Sequence, residues 1–160
     1  MQIETTRFGI LEIDEAQMFH FPMGLLGFAG LKRYVVIDHA EDSPLKWLQS
    51  VDDGSLAFII TDPMFFVPSY RVTARRSELE VIDAEEEHLI LSVIMTVPEN
   101  PQDMSANLMA PLIFNMKNRL AMQYVLTKQK FPVKYFVLKN SPTIEESSSD
   151  DDSAKTILLR

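Results

Sequence analysis

The sequence contains no cysteine. A disulfide framework, a thiolate metal site and a cysteine nucleophile are therefore excluded. The absence fits a reducing cytoplasm. Histidine is scarce: His20, His39 and His88 are the only three, and no two stand at metal-ligand spacing. His20, between Phe19 and Phe21, reads as structural. Only 5 glycines are present. Their one cluster, Gly24 to Gly30, matches neither a phosphate loop nor a dinucleotide fingerprint. No serine sits in a nucleophile elbow. Asp52 and Asp53 are adjacent on an expected turn and point in different directions, whereas a general acid–base pair must converge. Nothing in the sequence therefore points to catalysis, a resident metal or a cofactor. Long apolar runs are missing too. Ala57–Ile60 and Phe65–Val67 fall far short of the ~20 residues a spanning helix needs. The first residues show no basic region followed by an apolar one. The expectation is a soluble, cytoplasmic protein with no membrane contact.

Positive charge is also in short supply. Lys and Arg number 15 against 23 Asp and Glu, a net charge of −8. Arg75-Arg76 is a tight basic pair, and acids surround it. Direct nucleic-acid binding, which calls for a basic stripe, is disfavoured. An acidic chain is better placed to meet a basic protein, although a charge of this size also serves solubility.

What is present is material for a core. The 160 residues are 46% hydrophobic, with 10 Phe, 4 Tyr and 1 Trp. A domain of this size buries roughly two thirds of its unfolded surface. The patterning is that of strands. Ile3–Arg7 and Phe8–Ile13 read as a hairpin. Tyr34–Asp38 is β-branched and aromatic. Trp47–Val51 and Leu56–Thr61 flank Asp52-Asp53-Gly54-Ser55, a turn signal. Leu79–Ile82 reads as a short strand and Leu89–Val97 as the longest. Leu112–Met116 and Leu120–Thr127 form another hairpin, and Phe131–Leu138 closes the body. Helical signals are weak, with short turns expected at Phe28–Arg33 and Asp103–Leu108. The fold class is all-β: a small antiparallel, barrel-like single domain over residues 1–140.

Residues 141–160 differ in composition. They are rich in Ser, Asp and Glu and carry −3 of the net charge, leaving −5 on the body. Such a segment buries too little apolar surface to offset its ordering entropy, so a disordered tail is expected. Ile157-Leu158-Leu159 at its end reads as an incidental apolar island, and loss of the tail is expected to leave thermal stability nearly unchanged.

Four blocks carry a family resemblance. Phe21-Pro22-Met23-Gly24-Leu25-Leu26-Gly27-Phe28 resembles the Phe-x-x-Gly-Leu-x-Gly-Phe segment of the flagellar assembly factor FliW family. Leu48-Gln49-Ser50-Val51-Asp52, leading into Leu56 to Pro63, is similar to its next block. Pro68-Ser69-Tyr70 matches its Pro-x-Tyr. Ser105 to Asn115, followed by Ala121-Met122-Gln123, resembles its Asn-Leu-x-Ala-Pro signature and trailing Gln. The blocks stand in family order across roughly residues 1–138. Ala121 departs from the family's frequent Gly, and the tail falls outside the pattern.

The resemblance implies a non-enzymatic regulator of flagellum assembly. Such proteins bind the RNA-binding translational repressor CsrA, relieve its hold on flagellin synthesis, and bind flagellin as a chaperone-like partner. The protein is expected to be monomeric on its own and to carry no cofactor. Gly24, Gly27, Phe28, Asn107, Pro111, Asn115 and Gln123 read as scaffold: the glycines permit a tight bend before Phe28 packs, and the asparagine amides tie backbone in turns. Met23, Leu25 and Leu26, on a Gly-flanked loop, are the candidate apolar surface for flagellin. Asp52, Asp53 and Asp62 are the candidate contacts for the repressor. The alternative is a small-molecule or flavin-binding β-barrel, since a barrel of this size can hold one ligand.

Overall fold

The computed structural model describes residues 1–83, 86–139 and 156–159. Thirteen strands and five short 3-10 turns alternate along them, and every strand pair is antiparallel. β1 (Gln2–Thr5) and β2 (Gly9–Glu12) form the opening hairpin. β3 (Phe19–His20), β4 (Arg33–Asp38), β5 (Leu45–Ser50), β6 (Ala57–Thr61), β8 (Leu89–Thr96), β10 (Leu112–Asn115) and β11 (Ala121–Gln123) make the main sheet, ordered β11-β10-β8-β6-β5-β4-β3. β9 (Ser105–Ala106) pairs with the far end of β8, and β12 (Tyr135–Phe136) pairs with β9. β7 (Val72–Arg75) stands outside this sheet and pairs with β13 (Thr156–Leu159).

The two ends of the main sheet meet at one point. His20 forms a single parallel bridge with Leu120, and its N–H donates to the Arg119 carbonyl at 2.9 Å. One bridge is not a ladder, so the sheet curls like a barrel without closing into one.

Period-two patterning explains the packing. Along β8, Leu91, Val93 and Met95 are buried and pack into a large cluster with Ile113, Val72, Ala74, Tyr70 and Phe131. The opposite face of the same sheet, through Leu48, Ile60, Leu112 and Phe114, packs into a second cluster with Phe19, Phe21, Leu25 and Tyr34. There Phe21 meets Tyr34 and Phe114 edge-to-face, with centroids 5.2 and 5.7 Å apart. A third, smaller cluster holds the opening hairpin to β4 through Ile3, Ile13, Val35 and Val51.

Several sequence expectations change here. Leu79–Ile82 is no strand: Arg76–Ile82 is a 3-10 helix that buries Leu79 and Ile82 and ends at Asp83 in the left-handed region. Three-residue spacing in a 3-10 helix puts both apolar residues on one side. The turns expected at Phe28–Arg33 and Asp103–Leu108 are not helical; the nearby 3-10 turn is Pro101–Asp103, capped by Asn100. Phe131–Leu138 contributes only two strand residues. The apolar island is not incidental, since Thr156–Leu159 pairs in register with β7. The rest of the expected tail lies outside the described residues.

Candidate partner-binding surface

The Gly-flanked loop is built from consecutive tight turns. The Gly24 N–H donates to the Phe21 carbonyl at 2.9 Å, and the Phe28 N–H to the Leu25 carbonyl at 2.8 Å. Gly24 (φ +66°) and Gly27 (φ +84°) occupy the left-handed region that other residues adopt at a cost. At Gly24 space matters as well, because a Cβ there would fall 2.6 Å from the Phe28 carbonyl oxygen. Gln123 fastens the loop to the sheet. Its Oε1 accepts from the Leu26 N–H at 2.9 Å and its Nε2 donates to the Ala110 carbonyl at 3.2 Å.

The loop presents its side chains unequally. Met23 is 67% exposed and Leu26 62% exposed, whereas Leu25 is 2% exposed inside the second cluster. Leu25 is thus a core residue and leaves the candidate surface. Phe28 packs edge-to-face on Phe58 at 5.5 Å yet remains 38% exposed, so it joins Met23 and Leu26.

The three candidate aspartates do not form one patch. Asp52 and Asp53 lie in the β5–β6 turn, and Asp62 at the opposite end of β6. Five strand residues separate them, about 15 Å at the usual rise. Asp52 is committed locally: its Oδ1 accepts from Arg33 Nη2 at 2.6 Å and Nε at 2.9 Å. That guanidinium holds the Asp52 carboxyl below the usual carboxylate range, and it also neutralises much of the field Asp52 would send outward. Asp53 accepts from the Ser55 hydroxyl at 2.6 Å and the Ser55 N–H at 2.9 Å, which hold its carboxyl below the usual range. Asp62 caps the following 3-10 turn by accepting from the Met64 N–H at 2.9 Å. All three remain exposed.

The asparagines of the signature block bind backbone. Asn107 Oδ1 accepts from the Met109 and Ala110 N–H groups, each at 3.1 Å. Buried Asn115 donates to the Ile82 and Asp83 carbonyls at 2.9 and 3.1 Å and accepts from the Lys117 N–H at 3.0 Å. It thereby joins the β10–β11 hairpin to the 3-10 helix. Pro111 is buried just before β10, and its carbonyl accepts from the Tyr124 N–H at 2.8 Å. Tyr70, the Tyr of the Pro-x-Tyr block, donates its hydroxyl to the Leu108 carbonyl at 2.6 Å.

Two structural roles escaped the sequence reading. Fully buried Gln49 donates to the Ser50, Gly54 and Leu56 carbonyls and so shapes the turn that carries Asp52 and Asp53. Gly54 lies so close to the opening hairpin that a Cβ would fall 1.8 Å from the Glu4 carbonyl oxygen. A lone Gln on an apolar strand is the only signal the sequence offered for the first.

For the ligand-binding alternative, the relevant feature is an open groove of about 420 Å³ lined by Thr96, Asp103, Ser105, Lys134, Phe136 and Lys139. Lys139 is ion-paired with Asp103, so the groove offers no cluster of cations for a phosphate. Among the described residues, no group of three His, Asp or Glu is placed to hold a metal ion, and no helix is long and apolar enough to cross a membrane.

Comparison with known proteins covers nearly the whole body. The family model "FliW protein" matches residues 2–137. The flagellar assembly factor FliW of Alkaliphilus metalliredigens is 35% identical over 156 residues, 96% of each chain. That of Syntrophus aciditrophicus is 38% identical over 141 residues, 88% of this chain and 89% of its own. A solved crystal structure of the flagellar assembly factor FliW superposes with a TM-score of 0.80 at 30% identity, covering 88% of this chain and 99% of that one.

Proposed function

The chain belongs to the FliW family of non-enzymatic flagellar assembly factors, and from that membership we propose that it works in the cytoplasm by partner exchange. In this reading it binds a CsrA-type translational repressor and lifts repression of flagellin synthesis. Free flagellin competes for it, so translation follows export. Residues 1–140 act as the one binding domain, a monomer without cofactor and without direct contact to nucleic acid or membrane.

Family membership over residues 2–137 carries the proposal. The charge is compatible with it: an RNA-binding repressor needs positive surface, and a partner of net charge −8 meets it faster than a neutral one would. On the flagellin side, Met23, Leu26 and Phe28 supply adaptable apolar contacts. On the repressor side, Asp53 and Asp62 are the better contacts, since Asp52 is already paired with Arg33. Antagonism by charge repulsion of RNA acts only near its path, because the Debye length is about 8 Å at physiological salt.

The test is a titration of this protein against its host's repressor, with and without flagellin. Binding that flagellin displaces is the expected result. Absence of binding to either partner overturns the proposal. Inhibition that stays constant from low to high salt at saturating binding removes the electrostatic part.

A further inference from the structure

None of the residues assigned above to partner contact lines the open groove at the far end of β8. The floor of that groove is one cross-strand row. Thr96 of β8 stands opposite Ser105 of β9, and Ser105 stands opposite Phe136 of β12. Directly opposed residues share a face, with Cβ atoms about 5 Å apart. Two hydroxyls and an aromatic ring therefore stand side by side. Pro98 adds an apolar wall, and Lys134 and the Asp103–Lys139 pair complete the lining.

The polar groups of this floor are unpartnered. Ser105 is only 4% exposed, yet its hydroxyl makes no hydrogen bond among the described residues and opens into the groove. A hydroxyl so placed is costly unless something in the groove bonds to it. The Thr96 hydroxyl is without a protein partner as well. Lys134 is exposed, and no acid among the described residues pairs with it. Lys139 differs, because Asp103 holds it and the two charges cancel. One free ammonium therefore sets the charge of the groove.

The backbone beneath is already committed. β9 lies between β8 and β12 and pairs with both. The Val137 N–H donates to the Met104 carbonyl at 3.2 Å. Recognition falls to side chains, which have nothing to offer the successive amides of a peptide. They suit a single carboxylate. Its two oxygens accept about four hydrogen bonds, enough for both hydroxyls and the ammonium, and bonds to a charged acceptor are the stronger kind. A phosphate dianion would outweigh the one free cation.

We infer that this groove is a binding site for a small organic monocarboxylate. The acid group bonds to Thr96, Ser105 and Lys134, and the apolar body lies against Phe136 and Pro98. The groove's volume, about 420 Å³, falls at the small end of ligand sites. The body is accordingly one ring or a short alkyl chain.

The experiment titrates the ¹⁵N-labelled full chain with 3-phenylpropanoate at neutral pH and follows amide chemical shifts. Saturable shifts centred on Thr96, Ser105 and Phe136 are expected. The neutral isostere 3-phenylpropanamide is expected to bind at least about tenfold more weakly, and so is the acid to Lys134→Met, because each lacks the charge-assisted contact. Ser105→Ala is expected to cost about fivefold, the worth of one ordinary hydrogen bond. Inorganic phosphate is expected to bind at least about tenfold more weakly than the acid. The absence of saturable shifts at these amides overturns the proposal, as does equal affinity for acid and amide or an unchanged affinity in Lys134→Met. Tighter binding of the peptide Gly-Gly-Phe than of 3-phenylpropanoate also overturns it, since the occupant is then a chain terminus of another protein. Lys134 faces solvent, so its variant keeps the test decisive even where Ser105→Ala fails to fold.

Discussion

Tyr34 and Tyr70 are both fully buried, one in each large cluster, but only one hydroxyl is satisfied. Tyr70 donates to the Leu108 carbonyl at 2.6 Å. The Tyr34 hydroxyl has no hydrogen-bond partner among the described atoms. The same deletion of one oxygen should therefore act with opposite sign. Tyr70→Phe removes a bond and leaves a buried carbonyl without that donor, a loss of about 1–2 kcal/mol. Tyr34→Phe removes an uncompensated buried hydroxyl, and the small void it leaves limits the gain to about 1 kcal/mol at most. Urea unfolding separates the two. With a slope of about 2 kcal/mol per molar, the Tyr70→Phe midpoint falls by about 0.5–1 M and the Tyr34→Phe midpoint holds or rises. Equal losses in the two variants would refute the reasoning. Alkaline pH supplies a second readout. Burial, above all, pushes the Tyr34 phenol up to about 12, with the Asp52 and Asp53 charges adding to it. The folded state keeps the proton that the unfolded chain gives up at about pH 10. Stability therefore declines above that pH, and Tyr34→Phe makes the decline shallower.

Four further outcomes are expected. Gly24→Ala, which combines a positive φ with a 2.6 Å approach to the Phe28 carbonyl oxygen, should lower stability by about 2 kcal/mol or more. Gly27→Ala, strained in φ alone, should cost about 1 kcal/mol, and denaturant curves will rank the two. Asp52→Asn should weaken the acid limb of the stability curve. Arg33 depresses the Asp52 pKa, so the pair stabilises above about pH 4 and is lost as pH falls through the native value; the effect is at most about 1 kcal/mol for so exposed a pair. Met23→Ser with Leu26→Ser should reduce flagellin affinity at least tenfold in calorimetry while the melting temperature stays unchanged, because both side chains face solvent. Asn115→Ala should destabilise by about 2–3 kcal/mol in urea, since it strips the bonds joining the β10–β11 hairpin to the Arg76–Ile82 helix.

Local patterning made much of the architecture readable. β-branched and aromatic runs between turn signals located β4, β5, β6, β8 and both hairpins, because such side chains suit the pleated, half-buried surface of a strand. The glycines of the 21–28 block announced a tight loop, and the Asp-Asp-Gly-Ser run a turn, since both report local backbone geometry. Leu79–Ile82 was misread as a strand because three apolar residues around Glu80 suit a short strand as well as the three-residue spacing of a 3-10 helix. The family could be recognised from four blocks in order, each of which keeps a local motif intact.

What the sequence by itself determined is therefore local: strands, turns, the acid excess and the family resemblance. Tertiary structure alone decided what those residues meet. Leu25 and Leu26 are adjacent and chemically identical, yet one is core and the other surface, because the turn between Gly24 and Gly27 points them apart. Asp52 and Asp62 share a composition but not a place, because β6 lies between them. Gln49 and Gln129 are unremarkable as letters, and Gln123 stands out only through the family resemblance; each acquires its role from backbone groups the fold delivers, for Gln123 and Gln129 from residues remote in sequence. The same holds for the last aliphatic residues of the chain, which pair with β7 only because folding leaves that edge without another strand. Long-range hydrogen bonding has no periodicity, so no pattern along the chain can announce it.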